Sequence, residues 1–275
     1  MRRRLALALL VLAPAVHAAS VTEAYQRLYN FDFTGAHRAL DAYQSAAPQD
    51  PLGHSTRAAA YLFYELDRLK ILQGEFFSDD KKISGDDVLQ PDPAVRSRFF
   101  AAIDEAQRLA EARLKEHPKD TNAMFAFSMT EGLRTDYTAF VEKRQLRSLS
   151  SARKAHSYAV QLLQLDPTFV DAKVTTGITE YLSGSLPFFI RWFIKFENTQ
   201  GSKEVAVANL ENAAGKARYL GPFARILLAI IHLREKRAPR SLQLLEGLVA
   251  EFPQNPLLRR EMERLRLRMP QLRPR

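Results

Sequence analysis

The chain has 275 residues and no cysteine. That absence excludes a disulfide framework, an acylated lipoprotein cysteine, thiolate metal sites and a cysteine nucleophile. Tryptophan occurs once, at Trp192, and none of the eleven glycines belongs to a phosphate-cradling loop or a serine elbow. His37, His54, His117, His156 and His232 are scattered, without the paired spacing that a helical zinc motif needs. Asp79, Asp80, Asp86, Asp87 and Asp92 do not fall at the alternating positions of a calcium loop, and Lys81 and Lys82 interrupt them. No strand-like alternation is present. The reading is therefore of a chain with no cofactor and no metal, and not an enzyme; a hydrolase or lyase would have to assemble its site from inner carboxylates and tyrosines far apart in sequence.

What is present begins with a leader. Arg2, Arg3 and Arg4 precede the apolar run 5–13, then Pro14 and the small residues Val16 and Ala18. This is a three-part secretory signal over residues 1–18, with cleavage expected after Ala18. A retained anchor is the alternative, but the run falls short of the roughly 20 residues that span a bilayer. Export without disulfides fits the bacterial periplasm best. The formal charge of +9 divides unevenly: three charges belong to the leader, and seven arginines against two glutamates in 259–275 hold five more. The basicity is a property of the C-terminal end, with residues 269–275 read as a basic tail. In an exported protein it suits anionic headgroups or an acidic protein surface, not nucleic acid.

The remaining chain, 19–268, reads as one helical domain. A small residue is followed twelve positions later by proline at Ala36/Pro48, Ala106/Pro118, Ala155/Pro167 and Ser241/Pro253. Four positions after each small residue stands Leu40, Ala110, Ala159 or Leu245, so each pair shares one face of a helix that the proline ends. Ten residues beyond three of the prolines lie Ala58, Ser128 and Gly177, where a second helix can approach closely. The pattern predicts stacked helical hairpins, with helices over 52–72, 95–116, 121–141, 170–182, 203–216, 222–234, 239–251 and 256–268. Ser148 or Ser150 is the expected cap of the helix that carries Ala155. Two stretches break the periodicity: an acidic surface loop at 74–93 and an aromatic insert at 185–201.

The segments Phe33-Thr-Gly-Ala-His-Arg-Ala-Leu40 and Ala155 through Leu165-Asp-Pro167 resemble the second helix of a tetratricopeptide repeat. The proline spacings of 70, 49 and 86 depart from that family's unit of about 34 residues. The chain also resembles exported bacterial repeat proteins, a likeness that brings no assigned activity. The resemblance implies an all-α fold of irregular hairpins stacked as a right-handed solenoid, and protein binding as its use. The function expected is a periplasmic scaffold that binds another envelope protein. The alternative is a carrier or accessory binding protein for a small apolar or anionic-headgroup ligand, with the aromatic insert as its lid.

The candidate binding residues follow from the insert. On a helix, Arg191 and Lys195 form a narrow polar stripe while Phe188, Phe189, Trp192, Phe193 and Phe196 cover the rest. Such a segment is either buried between repeats or covered by a partner, a membrane surface or an apolar ligand. Tyr61, Tyr64, Glu65, Asp136, Tyr137, Glu180 and Tyr181 are expected on inner helices, with Tyr137 and Tyr181 the candidates to line a concave surface.

Overall fold

The computed structural model describes residues 20–73, 89–185 and 199–269. Among these residues there are eleven α-helices and no strand. Their order is α1 (Val21–Tyr29), α2 (Phe33–Ala46), α3 (Pro51–Arg68), α4 (Pro93–Glu116), α5 (Thr121–Asp136), α6 (Gln145–Leu165), α7 (Ala172–Ser185), α8 (Lys203–Lys216), α9 (Gly221–Arg234), α10 (Ala238–Glu251) and α11 (Pro256–Arg268). Each helix packs on its successor, and α1, α3, α5 and α7 also touch in series. The odd-numbered helices therefore form one layer and the even-numbered helices the other. No helix among the described residues is long and apolar enough to cross a membrane.

The repeated small pairs are the buried seams of the even layer. Ala36, Leu40, Ala106, Ala110, Ala155, Ala159, Ser241 and Leu245 are all buried. A small side chain there lets two helices approach, and the residue one turn later closes the gap. The residue before each proline ends its helix in one repeated backbone shape: Ala47 (φ −135°, ψ 66°), His117 (−129°, 78°), Asp166 (−138°, 91°) and Phe252 (−122°, 67°). Proline disfavours the helical region for the residue ahead of it, so the chain turns at that point.

Two residues after three of these prolines a polar side chain caps the next helix. Asp50 accepts from the N–H of Leu52, Asp120 from Ala123, and Asn255 from Leu257 and Leu258. Each such cap is worth about 1 kcal/mol. A fifth small pair, Ala206 and Leu210 on α8, is equally buried, but Arg218 stands where the proline would. The missing proline is replaced by a clasp. Asp171, buried at the entrance to α7, accepts the N–H groups of Arg218, Tyr219 and Leu220, each at 2.8 Å.

Three local expectations are corrected. The helix over 121–141 is not uniform: α5 stops at Asp136 and a π-helical turn covers Tyr137–Val141. That turn places Tyr137 over Phe99 in the core instead of on a surface. Neither Ser148 nor Ser150 caps α6, which starts at Gln145, and the Ser148 hydroxyl donates to the Gln145 carbonyl within the first turn. Pro93 is not loop; it is the first residue of α4, capped by Asp92.

Candidate functional site

Of the candidate residues named from sequence, Phe188, Phe189, Arg191, Trp192, Phe193, Lys195 and Phe196 lie outside the described residues. Tyr137 and Tyr181 are described, and they do not line one surface. Tyr137 is fully buried, stacked on Phe99 with ring centroids 4.9 Å apart, and its hydroxyl has no hydrogen-bond partner. Burial pushes that phenol up to about 12. Tyr64 is exposed and packs edge-on against Phe33, while Tyr61 packs on the His37 ring. The expected common face of tyrosines does not form, because the π-helical turn and the α2 contact send these rings in different directions.

Tyr181 belongs to a polar group shared by α7, the start of α8 and the end of α9. Its hydroxyl lies 3.4 Å from Glu235 Oε1, which also accepts from Lys203 Nζ at 2.7 Å. The Lys203 ammonium holds the Glu235 carboxyl below the usual range and sits 5.8 Å from the Tyr181 ring centroid. Beside it, Glu180 is buried and accepts the N–H groups of Gln200 at 2.9 Å and Ser202 at 3.1 Å. Glu65 plays the same part on α3. It is buried, takes two hydrogen bonds from Arg68 at 2.8 Å, and accepts the Asp92 N–H at 2.7 Å where the chain returns from 74–88. Both interruptions of the repeat are thus closed by a buried glutamate on the preceding odd-numbered helix. Sequence reasoning placed these acids on inner helices but gave no sign that backbone amides occupy them.

The feature that sequence reasoning missed lies where the two ends of the array meet. Tyr29 on α1 donates its hydroxyl to the Tyr219 carbonyl at 2.9 Å, and its ring packs on Phe252 at 5.2 Å. Tyr25 stacks on Tyr219 at 5.4 Å, and Tyr219 on Phe125 at 6.2 Å. The aromatic column Tyr29, Tyr25, Tyr219, Phe125 and Phe169 joins α1, the α8–α9 turn, α5 and the entrance to α7. These surfaces meet across rings worth about 2 kcal/mol each in buried area, with a further ~1 kcal/mol for each well-placed ring pair.

Outside this column a cleft of about 220 Å³ opens between α1 and the α8–α9 turn. Thr22, Gln26, Arg218 and Arg225 line it together with Tyr25, Tyr29 and Tyr219. Burial pushes all three phenols up, so they stay neutral. Two hydroxyls are already engaged, since Tyr25 donates to Met129 Sδ at 3.0 Å and Tyr29 to a carbonyl. Among the described residues no group of three or more His, Asp or Glu side chains could hold a metal ion.

No family model matches the sequence, and no curated protein sequence matches it. Among solved structures, a thermophilic tetratricopeptide-repeat protein from Thermus thermophilus is similar, with a TM-score of 0.48 and 14% identity over 90% of this chain and 97% of that one. On the packing of its own helices, the described part of the chain is an all-α array of helical hairpins.

Proposed function

We propose that the protein is a non-catalytic repeat scaffold that binds another protein of the cell envelope. The observation that carries this reading is the employment of its inner acids. Glu65, Glu180 and Asp171 each accept two or more hydrogen bonds, from backbone amides and, at Glu65, also from the adjacent Arg68, and each holds a turn of the array in place. A carboxylate with both oxygens occupied by protein donors in this way is badly placed to reach a substrate proton as a general base. What the fold leaves for use is surface. Leu146 is 82% exposed in the first turn of α6 between Arg144 and Arg147, and Leu182, next in the chain to Tyr181, is 50% exposed. The leader expected over residues 1–18, which lie outside the described residues, supports the envelope as the place of work, and the exposed Arg259 and Arg260 on α11 support an acidic partner surface.

Cross-linking in intact cells followed by mass spectrometry of the mature chain tests this. One protein recovered in stoichiometric amount, with cross-links on the outer surface, is the expected result. A chain that remains monomeric and uncross-linked at its native abundance overturns it.

A further inference from the structure

We propose that α6 has two starts: the long form described above, and a shorter form that begins at Ala152, capped by Ser151 and held by the buried carboxylate of Glu131. The inference is independent of the scaffold reading. It comes from two copies of one helix crossing. Ser128 on α5 and Gly177 on α7 each lie ten residues after a proline, and each meets the small residue of the next even-numbered helix. The Ser128 hydroxyl donates to the Ala155 carbonyl at 2.8 Å, and a Cβ at Gly177 would stand 3.3 Å from the Ala206 carbonyl. Three residues after Ser128 and Gly177 stand the buried acids Glu131 and Glu180, and four residues before the two alanines stand Ser151 and Ser202. The α5–α6 and α7–α8 crossings are therefore in the same register.

In the α7–α8 copy the acid and the serine are joined. Glu180 accepts the Ser202 N–H at 3.1 Å, the Ser202 hydroxyl accepts the Val205 N–H at 3.2 Å, and α8 starts at the next residue. Glu65 likewise takes the N–H of Asp92, the cap of α4. In the α5–α6 copy the join is not made, because α6 starts at Gln145 and runs on through Ser151, whose amide is then used inside the helix. Glu131 is left with Gln107 on Oε1 at 3.1 Å and Lys154 at 3.8 Å from the same oxygen, while its Oε2 is shielded from solvent and has no hydrogen-bond partner among the described residues. A buried carboxylate oxygen without a donor is unfavourable, and the short form supplies the donor.

The extra turns of α6 are weakly held. No side chain caps the first turn, and Arg144 and Arg147 are exposed at the end of the helix where the dipole opposes positive charge. Lys143, just ahead, sits in the left-handed region at φ 56°. Of residues 145–150 only Ser148 is buried, its hydroxyl is used within the same turn, and Leu146 is 82% exposed. Unwinding this stretch therefore loses little packing. It moves Arg144, Leu146 and Arg147 from a fixed helix to a length of chain that a partner can shape.

Hydrogen exchange of the mature chain, read amide by amide by NMR, tests the assignment. The Ser151 amide is bonded in both forms, to its own helix in one and to Glu131 in the other, whereas those of Ser150 and Ala152 are bonded only in the long form. Ser151 is therefore expected to exchange at least about tenfold more slowly than both neighbours, where ordinary fraying gives a smooth rise in protection along the helix. Glu131→Met keeps the length of the side chain and removes the acceptor, so it should erase that excess and slow exchange at Ala152. Ser151→Ala should slow Ala152 about fivefold more than Ser150→Ala does, because both favour helix alike and only the first removes the cap. The proposal is overturned if Ser151 fits a smooth rise, if Glu131→Met leaves the pattern unchanged, or if the two alanine variants act alike. Should Glu131→Met fail to fold, the wild-type pattern and the alanine variants decide.

Discussion

Asn255 donates its side-chain amide to the backbone carbonyl of Tyr29 at 2.8 Å, across 226 positions of sequence. The same side chain accepts the N–H groups of Leu257 and Leu258 through Oδ1, so one residue caps the last helix and ties it to the first. Asn30 adds a second strut by accepting the N–H of Gln254 at 3.2 Å. Asn255→Ala should lose both the cap and the tie, lowering stability by about 2 kcal/mol. Asn255→Ser keeps a capping oxygen but cannot reach Tyr29, and should recover about half of that loss. Urea unfolding of the three proteins measures it. Equal stability of the Ser and wild-type proteins would mean that the tie to Tyr29 contributes nothing.

Asp171 stands in for a proline. Where four even-numbered helices end on a ring that forbids further helix, α8 ends because three consecutive amides turn aside to one buried carboxylate. Asp171→Ala would leave those amides without acceptors, at a cost of at least about 3 kcal/mol. The amides of Arg218, Tyr219 and Leu220 should then exchange with solvent faster than their neighbours, which hydrogen exchange resolves residue by residue. Slow exchange at all three in the variant would show that the turn is held by the aromatic column instead.

Two glycines in helix interiors should respond in opposite directions. At Gly177 an added Cβ would stand 2.9 Å from Leu210 Cγ and 3.3 Å from the Ala206 carbonyl, and Leu210 is fully buried with nowhere to move. Gly177→Ala should cost about 1–3 kcal/mol through overpacking of α7 on α8. At Gly247 on α10 nothing lies within 4 Å of the added atom, so Gly247→Ala should gain about 0.5–1 kcal/mol from helix propensity alone. Thermal unfolding of both variants checks the sign of each.

The even layer was legible because its signal is local. A small residue, a second small or apolar one a turn later and a proline twelve positions on are fixed by the geometry of a single helix and its end, and Ala36, Ala106, Ala155 and Ser241 are buried as that geometry requires. The fifth copy, Ala206 and Leu210, keeps the local part of the signal and loses the proline, so only its helix was predicted and not its place in the pattern. The seam was illegible for the opposite reason. Tyr29 meets Tyr219 across 190 positions and Asn255 across 226, and nothing in a helix's own periodicity says which ring it will find on another. The candidate tyrosines show both limits. Tyr137 is expected beside Tyr181 on a concave surface because each follows a proline at a similar distance, whereas in the structure a π-helical turn starts at Tyr137 and its ring lies in the core on Phe99.

That turn begins beside Asp136, whose carboxyl is pushed up from 3.8 to about 7 by burial in the surrounding protein. Above pH ~7 the group is ionised in both folded and unfolded chains, and the folded state bears the full cost of a poorly solvated charge. As pH falls through about 7 the folded state takes up a proton that the unfolded state does not, so stability rises, and the gain is complete below the unfolded value of 3.8. Because Asp136 keeps part of its surface in water, the total is put at about 1–2 kcal/mol, less than the shift alone would give. Asp136→Asn removes the charge at every pH. It should therefore be more stable than wild type by about 1–2 kcal/mol near pH 8 and nearly equal to it near pH 4, where the folded wild type is protonated and the unfolded chain is close to half so. Taking the difference between the two proteins cancels the titration of every other carboxylate. Urea unfolding at the two pH values measures it, and a difference of the same size at both would mean that the charge of Asp136 is solvated in the folded state.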